Sequence, residues 1–282
     1  MKSTILFVIL CCTHYFCSVI SVAAPPSKTS KIQNSEMRIV SLSPHLTELV
    51  YLLGRGEQLI AVSDFSDFPA QATSLPSVAS YQGANLEEIY RMQATHVLAW
   101  KGGNKHSDIS KLKQSGHLVY ESESLDIRSW IADIQQLASF INADMEYQER
   151  LIKRIKSNVE FLKALYANQE KSVFYYLSDK PLVALGKDSW LNDLLSLCNL
   201  NNVFEESFVS FPQVTIEQVV RKQPEILIAS NHGTFAALYK PWQTHQNLLD
   251  ATLIQANPDK LHRFTPRALD EITSVCEKAY TD

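Results

Sequence analysis

Residues 124–170 carry a helical period without a strand pattern, and strand and helix patterns alternate on both sides of this stretch. Alternating strands and helices imply crossover connections, which make neighbouring strands parallel and place helices over the sheet. Because the alternation stops and then restarts, a single continuous sheet is not expected. The pattern predicts an α/β fold with two lobes, each with a central, mostly parallel sheet, joined by one long α-helix.

The boundaries of these parts follow from the same pattern. The expected segments are an N-terminal α/β lobe over 37–123, a helical region with the long interlobe helix over 124–170, and a C-terminal α/β lobe over 171–282. Within the helical region, Asn142 and Asp144 can cap a second helix, which is predicted over about 144–168. A closing helix is predicted over 266–280, with Pro266 near its first turn.

The N-terminus has the pattern of an export signal. One lysine, Lys2, precedes an apolar run and then small residues, with cleavage expected near Ala23 or Ala24. Residues 1–23 are therefore predicted to be a signal peptide and 24–36 a flexible linker. The alternative is an uncleaved membrane anchor, but the run is shorter than the roughly 20 apolar residues of a spanning helix.

Cysteine usage and charge narrow the class of protein. Without the signal, Cys198 and Cys276 remain, and an even pair in an exported chain favours a disulfide over two separate buried thiols. The formal net charge is −4, and no basic run is present. This balance argues against binding to nucleic acid or to an anionic membrane surface.

Two segments, one in each predicted lobe, repeat one pattern. Residues 85–100 are NLEEIYRMQATHVLAW, and residues 215–230 are TIEQVVRKQPEILIAS. Both place Glu third, Arg seventh, Gln ninth and Ala fifteenth, and both pass from an amphipathic opening to an apolar finish. The identities are weak alone, but each copy lies in the middle of its lobe. The repeat therefore supports two lobes of like design.

Helix capping accounts for only part of the repeat. Each copy is predicted to begin with a capping box, formed by Asn85 with Glu88 and by Thr215 with Gln218. Glu87 and Glu217 are not needed for these boxes. The helix dipole would stabilise either acid by about 0.3–1 kcal/mol, but this does not explain the same placement in both lobes. Two such carboxylates on one outer face would suit docking onto basic residues of a symmetric partner.

Several strings together resemble a known family. RIVSLSPHLTELVYLLG, AVSDFSDFP, YQGANLEEI, VLAWKGGN and FPQVTIEQVV are similar to the cobalamin (vitamin B12) branch of the periplasmic substrate-binding proteins of ABC importers. This branch belongs to the helical-backbone (cluster A, class III) family, which also includes haem and siderophore binders. The resemblance implies a periplasmic protein, monomeric when free, that holds its ligand between two lobes and delivers it to a transmembrane permease dimer with its ATPase subunits.

The resemblance also assigns roles to individual residues. It implies that Glu87 and Glu217 dock onto arginines of the permease and that Cys198 and Cys276 form a C-lobe disulfide. It further implies a ligand site made of Phe65, Tyr81, Trp100, Phe211, Asp259, His262 and Arg263. His262 stands where the family has an acid; a solvated rim histidine is its plainer interpretation, and an approach to the ligand is the alternative. Core packing is the alternative for Trp100.

Other functions were weighed against this one. G-x-S-x-G, P-loop, H-E-x-x-H and C-x-x-C motifs are absent from the sequence, and its histidines show no close metal-ligand spacing. We therefore predict no enzyme activity, no catalytic cofactor and no metal site. Haem would favour a ligand such as Tyr81 or His262, a ferric siderophore would favour several cleft arginines, and nothing positive supports adhesion or signalling. The prediction is a protein that binds cobalamin or a related corrinoid.

Overall fold

A computed structural model of the protein describes residues 37–187 and 189–281. The predicted signal peptide and linker lie outside these residues. None of the helices in the described ranges combines the length and the apolar character needed to span a bilayer.

The N-terminal lobe is built on a sheet whose central strands are buried. Its strands are β1 (Ile39–Ser41), β2 (Leu59–Ser63), β3 (Ser77–Ser80), β4 (Gly83–Ala84), β5 (His96–Trp100) and β6 (Leu118–Ser122). They lie in the order β4-β3-β2-β1-β5-β6, and all neighbours are parallel except β3 and β4. The chain builds the sheet outward from β1 in one direction and then in the other. The carboxyl ends of β1 and β5 therefore flank a topological switch point, where α/β sheets form their ligand crevices.

The C-terminal lobe repeats this design with a second sheet. Its strands are β7 (Lys171–Asp179), β8 (Leu182–Ala184), β9 (Leu200–Asn202), β10 (Ile226–Ala229) and β11 (Thr252–Gln255). The order is β11-β10-β7-β8, with β9 also paired to β7, and only the β7–β8 pairing in this sheet is antiparallel. The predicted α/β class with mostly parallel sheets is confirmed.

Helices cover both faces of the two sheets. They are α1 (Pro44–Leu52), α2 (Leu86–Arg91), α3 (His106–Gln114), α4 (Ile127–Phe140), α5 (Met145–Leu165), α6 (Trp190–Ser196), α7 (Ile216–Lys222), α8 (Phe235–Gln243), α9 (Pro258–Leu261) and α10 (Pro266–Tyr280). Short 3₁₀ turns occur at Gly56–Gln58 and Ala70–Ser74. The long predicted helix is α5. It begins after Asp144, whose side chain accepts a hydrogen bond from the backbone amide of Glu146. It ends a few residues earlier than expected.

One apolar core is shared by the two lobes. It contains buried residues of β1 and α1, of the connecting helices α4 and α5, and of β7 and α10, such as Ile39, Trp130, Ile155, Val173 and Ile272. Separate clusters lie on the opposite faces of the two sheets. Moving one lobe against the other would expose part of the shared core, at about 25 cal/mol for each Å² of apolar surface. The packing thus favours a cleft of fixed shape.

The predicted disulfide is present. Cys198, just after α6, is bonded to Cys276 in α10, and their Cα atoms are 6.0 Å apart. Both cysteines are fully buried in the shared core. The bridge therefore fixes the closing helix against the rest of the C-terminal lobe.

Only one of the two predicted capping boxes forms. Thr215 and Gln218 exchange both hydrogen bonds, Thr215 N to Gln218 Oε1 at 2.8 Å and Gln218 N to Thr215 Oγ1 at 3.3 Å. At the first site Asn85 Oδ1 accepts from the Glu88 amide at 3.1 Å, but the reverse bond is missing. The Glu88 carboxylate pairs instead with Arg91, one turn further along the helix. The backbone N–H of Asn85 donates to a carbonyl of β3. The prediction of a box at Asn85 was therefore wrong.

A group of charges centred on the buried side chains of Glu48 and Arg263, here called the interlobe charge cluster, connects the two lobes. It consists of Glu48 in α1, Asp67 in the loop after β2, Arg263 between α9 and α10, and Arg267 in α10. Arg263 Nη1 donates to Glu48 Oε1 at 3.1 Å and to Asp67 Oδ1 at 2.9 Å, and Arg267 Nη1 donates to Glu48 Oε1 at 2.7 Å. Glu48 is 1% exposed and Arg263 8%. Burial raises the pKa of Glu48, although both arginines favour its charged form.

We predict that Glu48→Gln strongly destabilises the protein. Removing one charge of a buried pair costs about 3–5 kcal/mol, and we expect a loss near the lower end of this range because Arg263 keeps Asp67 as a second partner. Urea unfolding at pH 7 measures the loss. The control is Glu146→Gln, which removes an exposed partner of Arg150 and should cost less than about 1 kcal/mol. Equal losses in the two variants would contradict the importance given to the cluster.

Candidate functional site

A cavity of about 340 Å³, here called the interlobe cleft, lies between the two lobes. Its walls come from the carboxyl ends of β1 and β5 in one lobe and from the segments after β10 and β11 in the other. The lining residues are Pro44, His45, Trp100, His232, Pro258, Asp259, His262, Arg263 and Phe264. The cleft therefore lies where the topology of both sheets predicts a ligand site.

A larger cavity adjoins the cleft on the side of the C-terminal lobe. Its volume is about 670 Å³, and it shares His232, Pro258 and Asp259 with the cleft. Pockets of about 300–1,000 Å³ are typical of sites for small molecules. Within the described residues, no three His, Cys, Asp or Glu side chains are grouped so that they could hold a metal ion.

The four predicted aromatic ligand residues are exposed. Their exposed fractions are 77% for Phe65, 88% for Tyr81, 36% for Trp100 and 53% for Phe211. Trp100 lines the interlobe cleft, whereas the other three do not contribute to its lining. Single exposed aromatic residues are common on protein surfaces, so exposure alone does not assign these four a role. Core packing, the alternative for Trp100, does not account for its exposure.

The loop after β2 turns Phe65 outward. Phe65 has a left-handed backbone with φ of 61°, a conformation that costs about 1–3 kcal/mol unless its surroundings hold it. The carbonyl of Phe65 accepts a hydrogen bond from Arg263 Nη2 at 3.1 Å. Next to it, the Ser66 hydroxyl is bonded to Ser63 at 3.0 Å and to Thr47 at 3.2 Å. The interlobe charge cluster thus also fixes the backbone that carries Phe65.

The segment WKGGN explains how Trp100 is held. The indole ring lies over the backbone of Gly102 and Gly103, where a Cβ atom would clash with it. Asn104 accepts from the Trp100 amide at 2.7 Å and donates to the Leu42 carbonyl at 2.9 Å, which ties the ends of β5 and β1 together. The glycines and the asparagine are positioning residues for the indole ring.

His45 is a cleft residue that the sequence did not reveal. It lies in the first turn of α1, is 5% exposed, and stands edge-on to Trp100 with ring centroids 5.6 Å apart. Burial, with a smaller contribution from the charge of Arg263, lowers the pKa of His45 to about 3. The imidazole is therefore neutral at physiological pH. A single histidine after Ser-Pro does not indicate a binding residue in the sequence. Only the position of His45 at the switch point of the folded sheet identifies it as part of the cleft.

His262 lines the cleft but is not a solvated rim residue. Its Nε2 is bonded to the hydroxyls of Tyr175 at 2.8 Å and Ser230 at 3.0 Å. Burial lowers the pKa of His262 to about 4, and His232 adds to this effect while Asp259 opposes it. The plainer interpretation from the sequence was therefore wrong, because two buried hydroxyls bind the ring nitrogen inside the C-terminal lobe.

Asp259 and Arg263 also line the cleft, but their charges are already paired. Arg263 Nη2 lies 3.4 Å from Asp259 Oδ1, and its Nη1 binds the two acids of the interlobe charge cluster, Glu48 and Asp67. The resemblance presented both as polar contacts for a ligand. In this structure Arg263 instead holds parts of both lobes together, and a ligand would have to compete with these partners.

The two predicted docking acids lie at matching places in the lobes. Glu87 is in the first turn of α2 and Glu217 in the first turn of α7, and both are exposed. Within the described residues neither forms an ion pair. Hydrogen bonding to Thr215 lowers the pKa of Glu217. Both carboxylates are therefore accessible to a cationic partner.

We predict that His262 makes the protein less stable in mild acid. Its pKa is about 4 in the folded state and about 6.5 when unfolded, so the unfolded chain takes up a proton that the folded chain does not. The free energy of unfolding keeps its full value above pH 6.5 and falls as the pH drops towards 4. At pH 5 it is lower by about 2 kcal/mol. In His262→Gln, the loss of stability between pH 7.5 and 5 should be smaller by about this amount. Urea unfolding at both pH values tests this.

The control for this experiment is His106→Gln, which changes an exposed histidine in α3. It should keep the pH dependence of the wild-type protein. An unchanged pH dependence in His262→Gln would contradict the prediction.

Comparisons with known proteins show which family the chain resembles in sequence and fold. Residues 39–258 match the family described as periplasmic binding protein. A protein named vitamin B12-binding protein from Vibrio cholerae is 35% identical over 271 residues, which are 95% of each chain. The crystal structure of periplasmic vitamin B12 binding protein BtuF of Vibrio cholerae superposes with a TM-score of 0.77 at 35% identity, covering 86% of this chain and 96% of that one.

A periplasmic haem-binding protein of Vibrio cholerae, HutB, has a similar fold, with a TM-score of 0.78 over 87% of this chain and 99% of that chain. Its sequence identity is 20%, so this likeness concerns the fold alone. The family match and the relative of nearly equal length assign the chain: it belongs to the periplasmic binding protein family.

Proposed function

We propose that the protein captures cobalamin, or a closely related corrinoid, between its lobes and delivers it to the permease of an ABC importer. The observation that carries this proposal is the 35% identity, over 95% of both chains, to a protein named vitamin B12-binding protein. The proposal includes export to the periplasm by a cleaved signal, and a role in binding and transport without catalysis.

The chemistry of a corrinoid suits the residues around the interlobe cleft. A corrin is a wide, partly apolar macrocycle with amide arms, so a site for it needs flat aromatic walls and a few polar groups. Phe65, Tyr81 and Phe211 offer exposed rings, and Trp100 presents its indole to the cleft. These side chains are our proposed walls, with Asp259 and His262 as polar neighbours.

Haem and ferric siderophores fit the site less well. Both ligand classes carry negative charge, and the buried guanidinium of Arg263 is already paired with acids. A haem iron would need a free Tyr or His, but His262 Nε2 is bonded to two hydroxyls. The exposed Tyr81 phenol remains available, so haem belongs in the binding test.

We expect the exported protein to bind cyanocobalamin with a Kd well below 10 μM and to prefer it over haem and a ferric siderophore. Titration calorimetry with the three ligands tests this. Trp100→Ala should weaken binding by about 30-fold, the effect of losing one buried aromatic anchor. Phe161→Ala changes a more exposed aromatic residue on α5, 59% against 36% for Trp100, and should leave affinity unchanged. No cobalamin binding below about 10 μM, or about −7 kcal/mol, would overturn the ligand assignment.

For delivery, the proposal assigns Glu87 and Glu217 to docking on arginines of the permease dimer. Their matching positions and their exposure support this role. Complementary surface charges steer encounter and set the register of two partners.

We predict that reversing both charges, with Glu87→Lys and Glu217→Lys, abolishes cobalamin uptake by cells and leaves ligand affinity unchanged. The control reverses Glu146 and Glu160, which are exposed on α5, and therefore makes the same change in net charge. Uptake at the wild-type rate in the first double variant would exclude the docking role.

A further inference from the structure

The floor of the interlobe cleft holds a polar atom without a partner. His45 is 5% exposed, and its Nε2 is buried and forms no hydrogen bond with any part of the chain that the structure describes. The other ring nitrogen, Nδ1, lies 3.2 Å from the Ser43 hydroxyl. Buried polar atoms in native proteins are nearly always satisfied by protein, water or ligand. An orphan at the lining of a candidate site therefore points to a bond that the ligand completes.

The position of His45 supports this function more than a purely structural one. The residue lies in the first turn of α1, just beyond the carboxyl end of β1 at the switch point of the N-terminal sheet, and it lines the cleft beside Trp100. Its ring contacts Trp100 and Phe264 edge-on, at centroid distances of 5.6 and 6.2 Å. These neighbours hold the imidazole in place, but neither forms a hydrogen bond with Nε2.

The shape of the cleft restricts which part of a ligand can reach Nε2. The cavity measures about 340 Å³, and Nε2 is shielded from solvent in a ring that packs against Trp100 and Phe264. A wide macrocycle cannot bring its central metal to such an atom, whereas a narrow side arm can. The bond in question is therefore a hydrogen bond to the periphery of the ligand rather than coordination of its metal.

The chemistry of the imidazole restricts the arm further. The ring is neutral, so it offers no charge to attract a carboxylate. Depending on the tautomer, Nε2 either donates or accepts a hydrogen bond. A primary amide has both a donor and an acceptor and can pair with either tautomer.

We propose that His45 is a further ligand-binding residue, whose Nε2 exchanges a hydrogen bond with a primary amide arm of the corrinoid. This inference rests on the proposed function. It makes His45 a specificity residue, because an amide arm can pair with either tautomer of the ring, whereas an ionised carboxylate arm can pair only with the tautomer that carries a proton on Nε2.

The test compares cyanocobalamin binding by titration calorimetry in three forms of the exported protein. His45→Phe keeps an aromatic ring against Trp100 and removes the nitrogen, and it should weaken binding about tenfold, the typical effect of one lost hydrogen bond. His45→Gln places an amide near the position of Nε2 and should restore most of the affinity. Thermal melting confirms that each variant is folded.

The matched control is His96→Phe. His96 also has its Nδ1 close to a hydroxyl, that of Thr95 at 2.8 Å, and also meets an aromatic ring edge-on, that of Phe140 at 5.2 Å. It lies at the opposite end of β5 from Trp100. Its replacement should leave the affinity for cyanocobalamin unchanged.

A second measurement uses wild-type protein and changes the ligand instead. Cobalamin derivatives in which one amide arm is hydrolysed to a carboxylate should include one that binds about tenfold more weakly to the wild type. The same derivative should show no such penalty with His45→Phe. This comparison holds even if the absolute affinity of the variant changes through altered packing.

The outcomes separate the two levels of the proposal. If wild-type protein binds cyanocobalamin but His45→Phe binds it equally well, the role of His45 is excluded and the proposed function stands. If wild-type protein binds no cobalamin, the proposed function itself is wrong. A loss in His45→Phe with recovery in His45→Gln supports the inference.

Discussion

The buried pairing of Arg263 with Glu48 is the interaction on which the rest of the site depends. Glu48 belongs to α1 of the N-terminal lobe, and Arg263 precedes α10 of the C-terminal lobe. The same guanidinium also holds the carbonyl of Phe65 and contributes to the low pKa of His45. One cation thus connects the two lobes, holds the loop that carries Phe65, and adds to the burial that keeps His45 neutral.

The shared core complements this pairing and explains why the cleft can be preformed. Apolar residues of both sheets and of the connecting helices form one continuous cluster, so the lobes cannot separate without exposing it. A preformed site loses little conformational entropy on binding, which favours affinity.

The elements that were predicted well are those whose signals are local. The closing helix was expected over 266–280 and is found there, because Pro266 marks its first turn and its apolar residues recur at the helical period. The box at Thr215 formed because both partners lie within one turn. The box at Asn85 failed because Arg91 competes for the Glu88 carboxylate, a choice that the spacing of residues does not settle.

The sequence by itself determined the two-lobed α/β class, the pairing of Cys198 with Cys276, and the exposed acids Glu87 and Glu217. Strand and helix periods, cysteine count and helix position are properties of short segments, and the physical forces behind them act over a few residues. Only the tertiary structure decided that Arg263 is paired across the lobes, that His262 is bound by two hydroxyls, and that His45 meets Trp100. Those facts depend on burial and on side chains brought together from distant segments, because the cost of an unpaired charge or polar atom arises only after folding removes water.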